Sequence, residues 1–227
     1  GRSQAGLYGD FVANVDDLVG RILDTLERAG LRDNTLVFFS SDNGPVWYEA
    51  DRERLGHAAA GVLRGMKGDA WEGGHRMPFI ARWPRHIQPG AVSGVTLSFT
   101  DMLATFAALT GAKLPDDAGE DSFSIVPALL GKAQPGPVRE ATVSLSSGGI
   151  LAFRQGDWKM IPGLGSGGFS KPAKVNPAPG EPAGQLYNLA TDRAEKNNLW
   201  QQHPDVVKRL STLLEKYQKD GRSRPVN

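Results

Sequence analysis

Residues 35–45 read Thr-Leu-Val-Phe-Phe-Ser-Ser-Asp-Asn-Gly-Pro, and this stretch decides how the fold is interpreted. Its first part is an apolar run without alternation, which predicts a strand covered on both faces, as in a parallel sheet. Asp42 and Asn43 follow directly, where open α/β sheets bind their ligands. Two adjacent side-chain oxygens at this point suit a hard divalent cation. The competing interpretation is a simple turn, because Asp-Asn-Gly-Pro is made of turn-favouring residues.

A glycine-rich segment follows in residues 63–78, which read Leu-Arg-Gly-Met-Lys-Gly-Asp-Ala-Trp-Glu-Gly-Gly-His-Arg-Met-Pro. Lys67 lies between Gly65 and Gly68, so the backbone around it can approach a ligand closely. Its compact charge could hold an anionic oxygen or stabilise a developing one. The alternative is an ordinary solvated surface lysine. A cation site with a nearby lysine suggests hydrolysis of an anionic ester.

Two histidines lie in the same loop region, His57 and His75. Each could donate a hydrogen bond to an anion or give a proton to a leaving group. Each could equally be a packed or exposed histidine without a role. The charged residues Arg64, Glu72 and Arg76 predict a structural ion-pair network that shapes the glycine-rich segment.

The bulk composition excludes several classes of function. Of the 227 residues, 40% are hydrophobic and 22% are charged, and the formal net charge is +1. This net charge lacks the excess of basic residues that is typical of a nucleic-acid-binding protein. No apolar run of about 18 residues is present, so no membrane-spanning helix is expected. The absence of cysteine excludes disulfides, thiolate metal sites and a cysteine nucleophile within the chain.

The order of predicted elements indicates an α/β class in two parts. In residues 1–137, hydrophobic periodicity and capping signals predict helices over 10–29 and 100–109, strands over 35–40 and 78–83, and a short helix within 121–130. Residues 138–227 predict a small antiparallel sheet on one helix, with strands over 142–145, 150–154, 158–161 and 185–189 and a helix from residue 204. Residues 162–184 are rich in glycine and proline, which predicts a long, flexible surface loop.

Three stretches, Phe39–Gly44, Leu63–Gly68 and Glu72–Pro78, resemble successive signatures of the formylglycine-dependent sulfatases. These are the arylsulfatase-like enzymes of the alkaline phosphatase superfamily. The resemblance covers essentially the whole chain, and further short stretches fit the family's order: Tyr8–Asp10, Trp83-Pro84, Thr100-Asp101, Gly156–Lys159 and Leu186–Leu189. It implies the C-terminal part of an alkaline-phosphatase-like sandwich with a mostly parallel sheet, followed by a small antiparallel subdomain.

The resemblance also implies a chemistry for the candidate residues. Asp42 and Asn43 would supply two ligands of a calcium site, and Lys67 would contact the sulfate group of a sulfate ester. In this family a hydrated formylglycine attacks sulfur while the metal and nearby cations neutralise charge on the sulfuryl oxygens. The resemblance favours a periplasmic or secreted location.

The chain departs from the family pattern at the nucleophile. Formylglycine arises from Cys-x-Pro-x-Arg or Ser-x-Pro-x-Arg, and the nearest match, at Ser170, ends in lysine instead of arginine. The family's early acidic pair and its upstream histidine are also absent. We expect all of these in an N-terminal half that precedes Gly1, and we expect the isolated chain to be inactive.

Two other interpretations stay open. One is a phosphatase or phosphodiesterase of the same superfamily, with two zinc ions held by additional Asp and His ligands. The amide of Asn43 argues against it, because amide oxygens suit calcium better than zinc. The other is a non-catalytic remnant that acts as a binding or structural module.

Overall fold

The structure is a computed structural model that describes residues 1–132 and 136–226. Its helices are α1 (Gly6–Arg28), α2 (Glu49–Leu55), α3 (Glu72–His75), α4 (Asp101–Thr110), α5 (Val126–Leu129) and α6 (Pro204–Asp220). Its strands are β1 (Val37–Ser40), β2 (Phe79–Arg82), β3 (Thr142–Leu145), β4 (Leu151–Gln155), β5 (Trp158–Ile161) and β6 (Gln185–Asn188). The α/β class expected from the sequence is confirmed. No helix in the described ranges is both long and apolar enough to cross a membrane.

The first sheet pairs β1 with β2 in antiparallel register, from Val37 opposite Arg82 to Ser40 opposite Phe79. The parallel pairing expected for β1 is therefore not found in the part of the chain that the structure describes. The expectation that β1 is covered on both faces is also wrong there, because every residue of β1 is only half-buried. Helix α1 shows why β1 is not covered on both faces. None of the helix's residues is buried, although its apolar side chains form one face.

The second sheet has the strand order β3-β4-β5-β6, with every neighbouring pair antiparallel. Helix α6 begins with Pro204 in its first turn and ends at Gly221, whose φ of 65° suits a residue without a side chain. Its apolar residues recur at helical spacing and pack on the sheet. The resulting core consists of Ala141, Phe153, Met160, Leu186, Val206, Leu210, Leu214 and Tyr217.

A second core joins this sheet to the glycine-rich segment. Ala70 and Trp71 from that segment are buried against residues of β4, β5 and β6 and against Leu189. The Trp71 indole Nε1 donates to Gln185 Oε1 at 2.9 Å, which satisfies a buried polar group. The small sheet therefore holds the segment that carries Lys67.

Residues 162–184 match the predicted surface loop only in part. They contain no regular element and residues 174–181 are exposed, but Ser166 and Gly167 are buried. The Ser166 carbonyl accepts a hydrogen bond from Ala70 N at 2.7 Å. The composition suggested a solvated tract because glycine and serine are common in such tracts. Here the small residues instead permit close backbone contact with the glycine-rich segment.

Candidate functional site

The Asp42 loop (residues 41–45) leaves the end of β1 beside the end of the glycine-rich segment. Ser40 Oγ donates to the Pro78 carbonyl at 2.6 Å, which fixes the point where the loop begins. Asp42 is exposed, Asn43 is half-buried and Gly44 is buried. The loop therefore turns its two candidate ligands outward from a buried base.

Backbone contacts bring the Asp42 loop onto the glycine-rich segment. Gly44 N donates to the Gly74 carbonyl at 2.9 Å, and Lys67 N donates to the Pro45 carbonyl at 2.9 Å. A β-carbon on Gly44 would lie 1.8 Å from the Gly73 carbonyl oxygen, so only glycine fits there. The structure thus joins the two stretches that the sequence analysis singled out, although residues 46–62 separate them in the chain.

The side-chain oxygens of the loop could supply part of a cation site. Asp42 Oδ1 accepts a hydrogen bond from Ser41 Oγ at 3.3 Å, and Asn43 Nδ2 donates to the Gly44 carbonyl at 2.9 Å. This orientation leaves Asn43 Oδ1 without a partner among the described residues. The described ranges contain no group of three or more His, Cys, Asp and Glu residues suited to hold a metal. Because calcium takes about six to eight oxygen ligands, these two residues fit a partial shell only.

Lys67 is half-buried beside this loop. Its ammonium group makes no ion pair or hydrogen bond with any residue that the structure describes. A lysine held by its backbone, with its charge unneutralised, is available to an anionic group. The Lys67 backbone is therefore joined to the loop that carries the oxygen donors, while its contact with a sulfate group stays a prediction.

The two histidines lie in different surroundings. His57 is exposed, its carbonyl accepts a hydrogen bond from Trp47 Nε1 at 2.8 Å, and the two rings lie 5.7 Å apart. No recorded hydrogen bond in the described ranges links its ring to Asp42, Asn43 or Lys67. His75 belongs to a buried ion network instead, with Nε2 3.3 Å from Glu72 Oε1 and 3.5 Å from Lys159 Nζ. Burial lowers the pKa of His75.

The buried ion network fixes the glycine-rich segment to the small sheet. Lys159 Nζ lies 3.0 Å from Glu72 Oε1 and 2.8 Å from Glu195 Oε1, and all three residues are buried. Glu72 N also donates to Glu195 Oε2 at 2.7 Å. Burial opposes ionisation of Glu72, but the His75 hydrogen bond and the Lys159 ammonium outweigh it and lower its pKa. Burial raises the pKa of Glu195 against the attraction of Lys159.

The sequence analysis found only part of this network. The expected pair of Glu72 with Arg76 is present at 3.1 Å. Arg64 instead stacks over Trp71, with its guanidinium carbon 3.7 Å from the ring centroid, and donates to the Glu195 carbonyl at 2.8 Å. Lys159 and Glu195 were missed. A lysine inside the apolar strand β5 was the available signal, because an ionisable residue at such a position needs a buried partner.

Comparison with known proteins identifies the class of molecule to which this geometry belongs. Residues 2–112 match the Sulfatase family model. The chain is 39% identical over 220 residues to an N-acetylgalactosamine-6-O-sulfatase of Bacteroides thetaiotaomicron, a match that covers 95% of this chain and 42% of that relative. It is 46% identical over 136 residues to a steryl-sulfatase of Mus musculus, covering 59% of this chain and 22% of that relative.

Solved structures show the same relationship. A Bacteroides thetaiotaomicron structure from work on the metabolism of multiple glycosaminoglycans superposes with a TM-score of 0.83 at 39% identity, covering 96% of this chain and 46% of that one. A sulfatase from Pseudoalteromonas sp. superposes with a TM-score of 0.69 at 26% identity, covering 96% of this chain and 44% of that one. The chain therefore belongs to the sulfatase family and has its alkaline-phosphatase-like fold. It spans less than half the length of these relatives.

Proposed function

We propose that this chain is the calcium-binding and sulfate-contacting part of a sulfuric ester hydrolase. The observation that carries the proposal is the backbone contact between the Asp42 loop and the glycine-rich segment. It joins the loop of the two oxygen donors to the backbone of Lys67, whose ammonium has no partner among the described residues. The nucleophile, which is absent from this sequence, and the remaining ligands would come from polypeptide that precedes it. We also propose that residues 1–137 form part of the catalytic domain and residues 138–227 a small subdomain.

The side chains at the site support this chemistry. Asp42 and Asn43 offer a carboxylate and an amide oxygen, a donor pair that suits calcium better than zinc. Calcium, when bound, would supply positive charge to sulfuryl oxygens as a Lewis acid. Lys67, whose backbone N donates to the Pro45 carbonyl, would hold a sulfuryl oxygen and stabilise charge as it develops. His57 and His75 remain candidates for proton transfer, and the buried contacts of His75 favour a structural role.

The names of the relatives indicate which class of sulfate ester the protein would hydrolyse. One relative is named for N-acetylgalactosamine 6-O-sulfate and another for steryl sulfate, so in both names the sulfate is carried by a molecule with rings. We therefore propose a sulfate ester of a ring-containing alcohol as substrate. The intact protein, meaning this chain together with all polypeptide encoded with it, is the form in which the proposal applies.

Calcium binding gives a test that does not require turnover. Replacing Asp42 by alanine in the intact protein should weaken calcium binding by at least the roughly 10- to 100-fold that loss of an outer-shell partner costs. Isothermal titration calorimetry with calcium measures this directly. Removal of calcium by a chelator should abolish hydrolysis of para-nitrophenyl sulfate, and added calcium should restore it.

Asp24→Ala is the matched control, because Asp24 is an exposed aspartate within α1 and lies outside the Asp42 loop. Its calcium affinity should equal that of the unaltered protein. Equal calcium affinity in the Asp42→Ala protein would remove Asp42 from the metal site. Tightly bound zinc in place of calcium, measured by elemental analysis, would favour the phosphatase alternative.

A further inference from the structure

The Ser166 loop (residues 166–170) lies directly against the residues around Lys67. A β-carbon on Gly168 would lie 2.2 Å from the Gly68 carbonyl oxygen, so the two backbones are in contact. A β-carbon on Gly68 would lie 3.2 Å from Phe169 Cδ1 and 3.3 Å from Phe169 Cε1. The Phe169 ring therefore lies against Gly68, the residue that directly follows Lys67 in the chain.

Hydrogen bonds hold this loop in one conformation. Ser170 N donates to Asp69 Oδ1 at 3.0 Å, and Asp69 Oδ2 accepts from Met66 N at 2.9 Å. Asp69 is buried, so its carboxylate ties the loop and the Lys67 region together away from water. Ser166 Oγ donates to the Ser170 carbonyl at 2.6 Å and accepts from Gly168 N at 3.0 Å. Phe169 is therefore attached to a rigid frame rather than to a mobile tract.

The Phe169 ring itself is left open. It is 42% exposed, although the backbone N of each of its neighbours, Gly168 and Ser170, donates a hydrogen bond within the frame. No other aromatic ring packs against it within the described ranges. A rigid loop that holds an apolar ring open to solvent gives up burial that the ring would otherwise gain. Such an arrangement suits a ring that is covered by a ligand.

We propose that Phe169 contacts the ring of the alcohol whose sulfate group is held by Lys67. The inference rests on the proposed function and adds a contact for the organic part of the ester. Aromatic side chains pack on the apolar faces of aryl rings and on the C–H faces of sugar rings. Both kinds of alcohol would therefore present a flat apolar face next to the sulfate ester. Phe169 is thus a substrate-contacting residue, and it discriminates between ring-bearing esters and the bare anion.

The test compares a sulfate ester with inorganic sulfate in the intact protein. Phe169→Ala should raise the KM for para-nitrophenyl sulfate about 3- to 10-fold, the range expected for one aromatic contact. The inhibition constant of inorganic sulfate, which has no ring, should stay unchanged. Phe169→Tyr should restore the KM because it keeps the ring. N-acetylgalactosamine 6-sulfate serves as a second substrate. It shows whether Phe169→Ala raises the KM for a sugar ester as much as it raises the KM for an aryl ester.

Phe99→Ala is the matched control, because Phe99 is also 42% exposed and lies in the residues before α4. It should leave both constants unchanged. An unchanged KM for both esters in the Phe169→Ala protein would overturn the inference. An equal rise in the KM of the ester and in the inhibition constant of inorganic sulfate would also overturn it. The proposed function fails separately if the unaltered protein hydrolyses neither ester, and in that case the Phe169 inference falls with it.

Discussion

Replacing Lys159 by methionine is expected to destabilise the intact protein by about 3–5 kcal/mol, the cost of removing one partner from a buried ion pair. The side chain is 1% exposed and lies within 3.0 Å of a carboxylate oxygen from each of Glu72 and Glu195. Without the ammonium, two carboxylates face each other in a site that water does not reach. Denaturant unfolding followed by tryptophan fluorescence measures the loss as a lower transition midpoint.

Lys174→Met is the control for this substitution, because Lys174 is exposed and lies in the irregular tract after the Ser166 loop. It should shift the free energy of unfolding by no more than about 0.5 kcal/mol. Adding Glu195→Gln to Lys159→Met should recover part of the loss, since the remaining buried carboxylate, Glu72, keeps its ion pair with Arg76 at 3.1 Å. Equal stability of the Lys159→Met and Lys174→Met proteins would show that the network does not hold the glycine-rich segment.

Replacing Lys67 by alanine is expected to lower kcat/KM for a sulfate ester about 10²- to 10³-fold in the intact protein, as for loss of one preorganised charge donor. The effect on stability should be small, because the Lys67 ammonium has no partner among the described residues. Steady-state kinetics with para-nitrophenyl sulfate and denaturant unfolding separate the two effects. This combination, a large kinetic loss with normal stability, is opposite to that expected for Lys159→Met.

Lys67→Arg tests whether charge alone is sufficient. Arginine keeps the positive charge but presents a planar fork, so we expect only partial recovery of activity. Lys171→Ala, at an exposed lysine directly after the Ser166 loop, should keep full activity. If Lys67→Ala turned over substrate at the normal rate, Lys67 would have no contact with the sulfate group.

Local patterns in the sequence were sufficient for most of the separate elements, but α2 and α3 lie in residues that were predicted as a loop region. Helix α6 was predictable because Pro204 and the apolar spacing from Val206 to Tyr217 act within a few turns. The Asp42 loop was predictable because its residues follow an apolar run directly. In the site, Lys67 and the two oxygen donors could be named, and the family resemblance supplied their expected roles.

The contacts that assemble the site could not be predicted in this way. Lys159 is 87 residues from Glu72, and Ser170 is 101 residues from Asp69. Such pairs depend on how the small sheet packs on the glycine-rich segment. Hydrophobic periodicity predicts single helices and strands, and it does not predict how they pack on each other. The Ser166 loop shows the same limit, because its composition is typical of a solvated tract while its neighbours in space bury Ser166 and Gly167.

We expect the Asp42 loop and Lys67 to act on sulfate esters. The most direct measurement compares kcat/KM of the intact protein, with calcium present, for para-nitrophenyl sulfate and para-nitrophenyl phosphate. These substrates share the leaving group and differ in the group that Lys67 and the calcium site would hold. We predict clear preference for the sulfate. Preference for the phosphate, or hydrolysis of neither ester, would contradict the account.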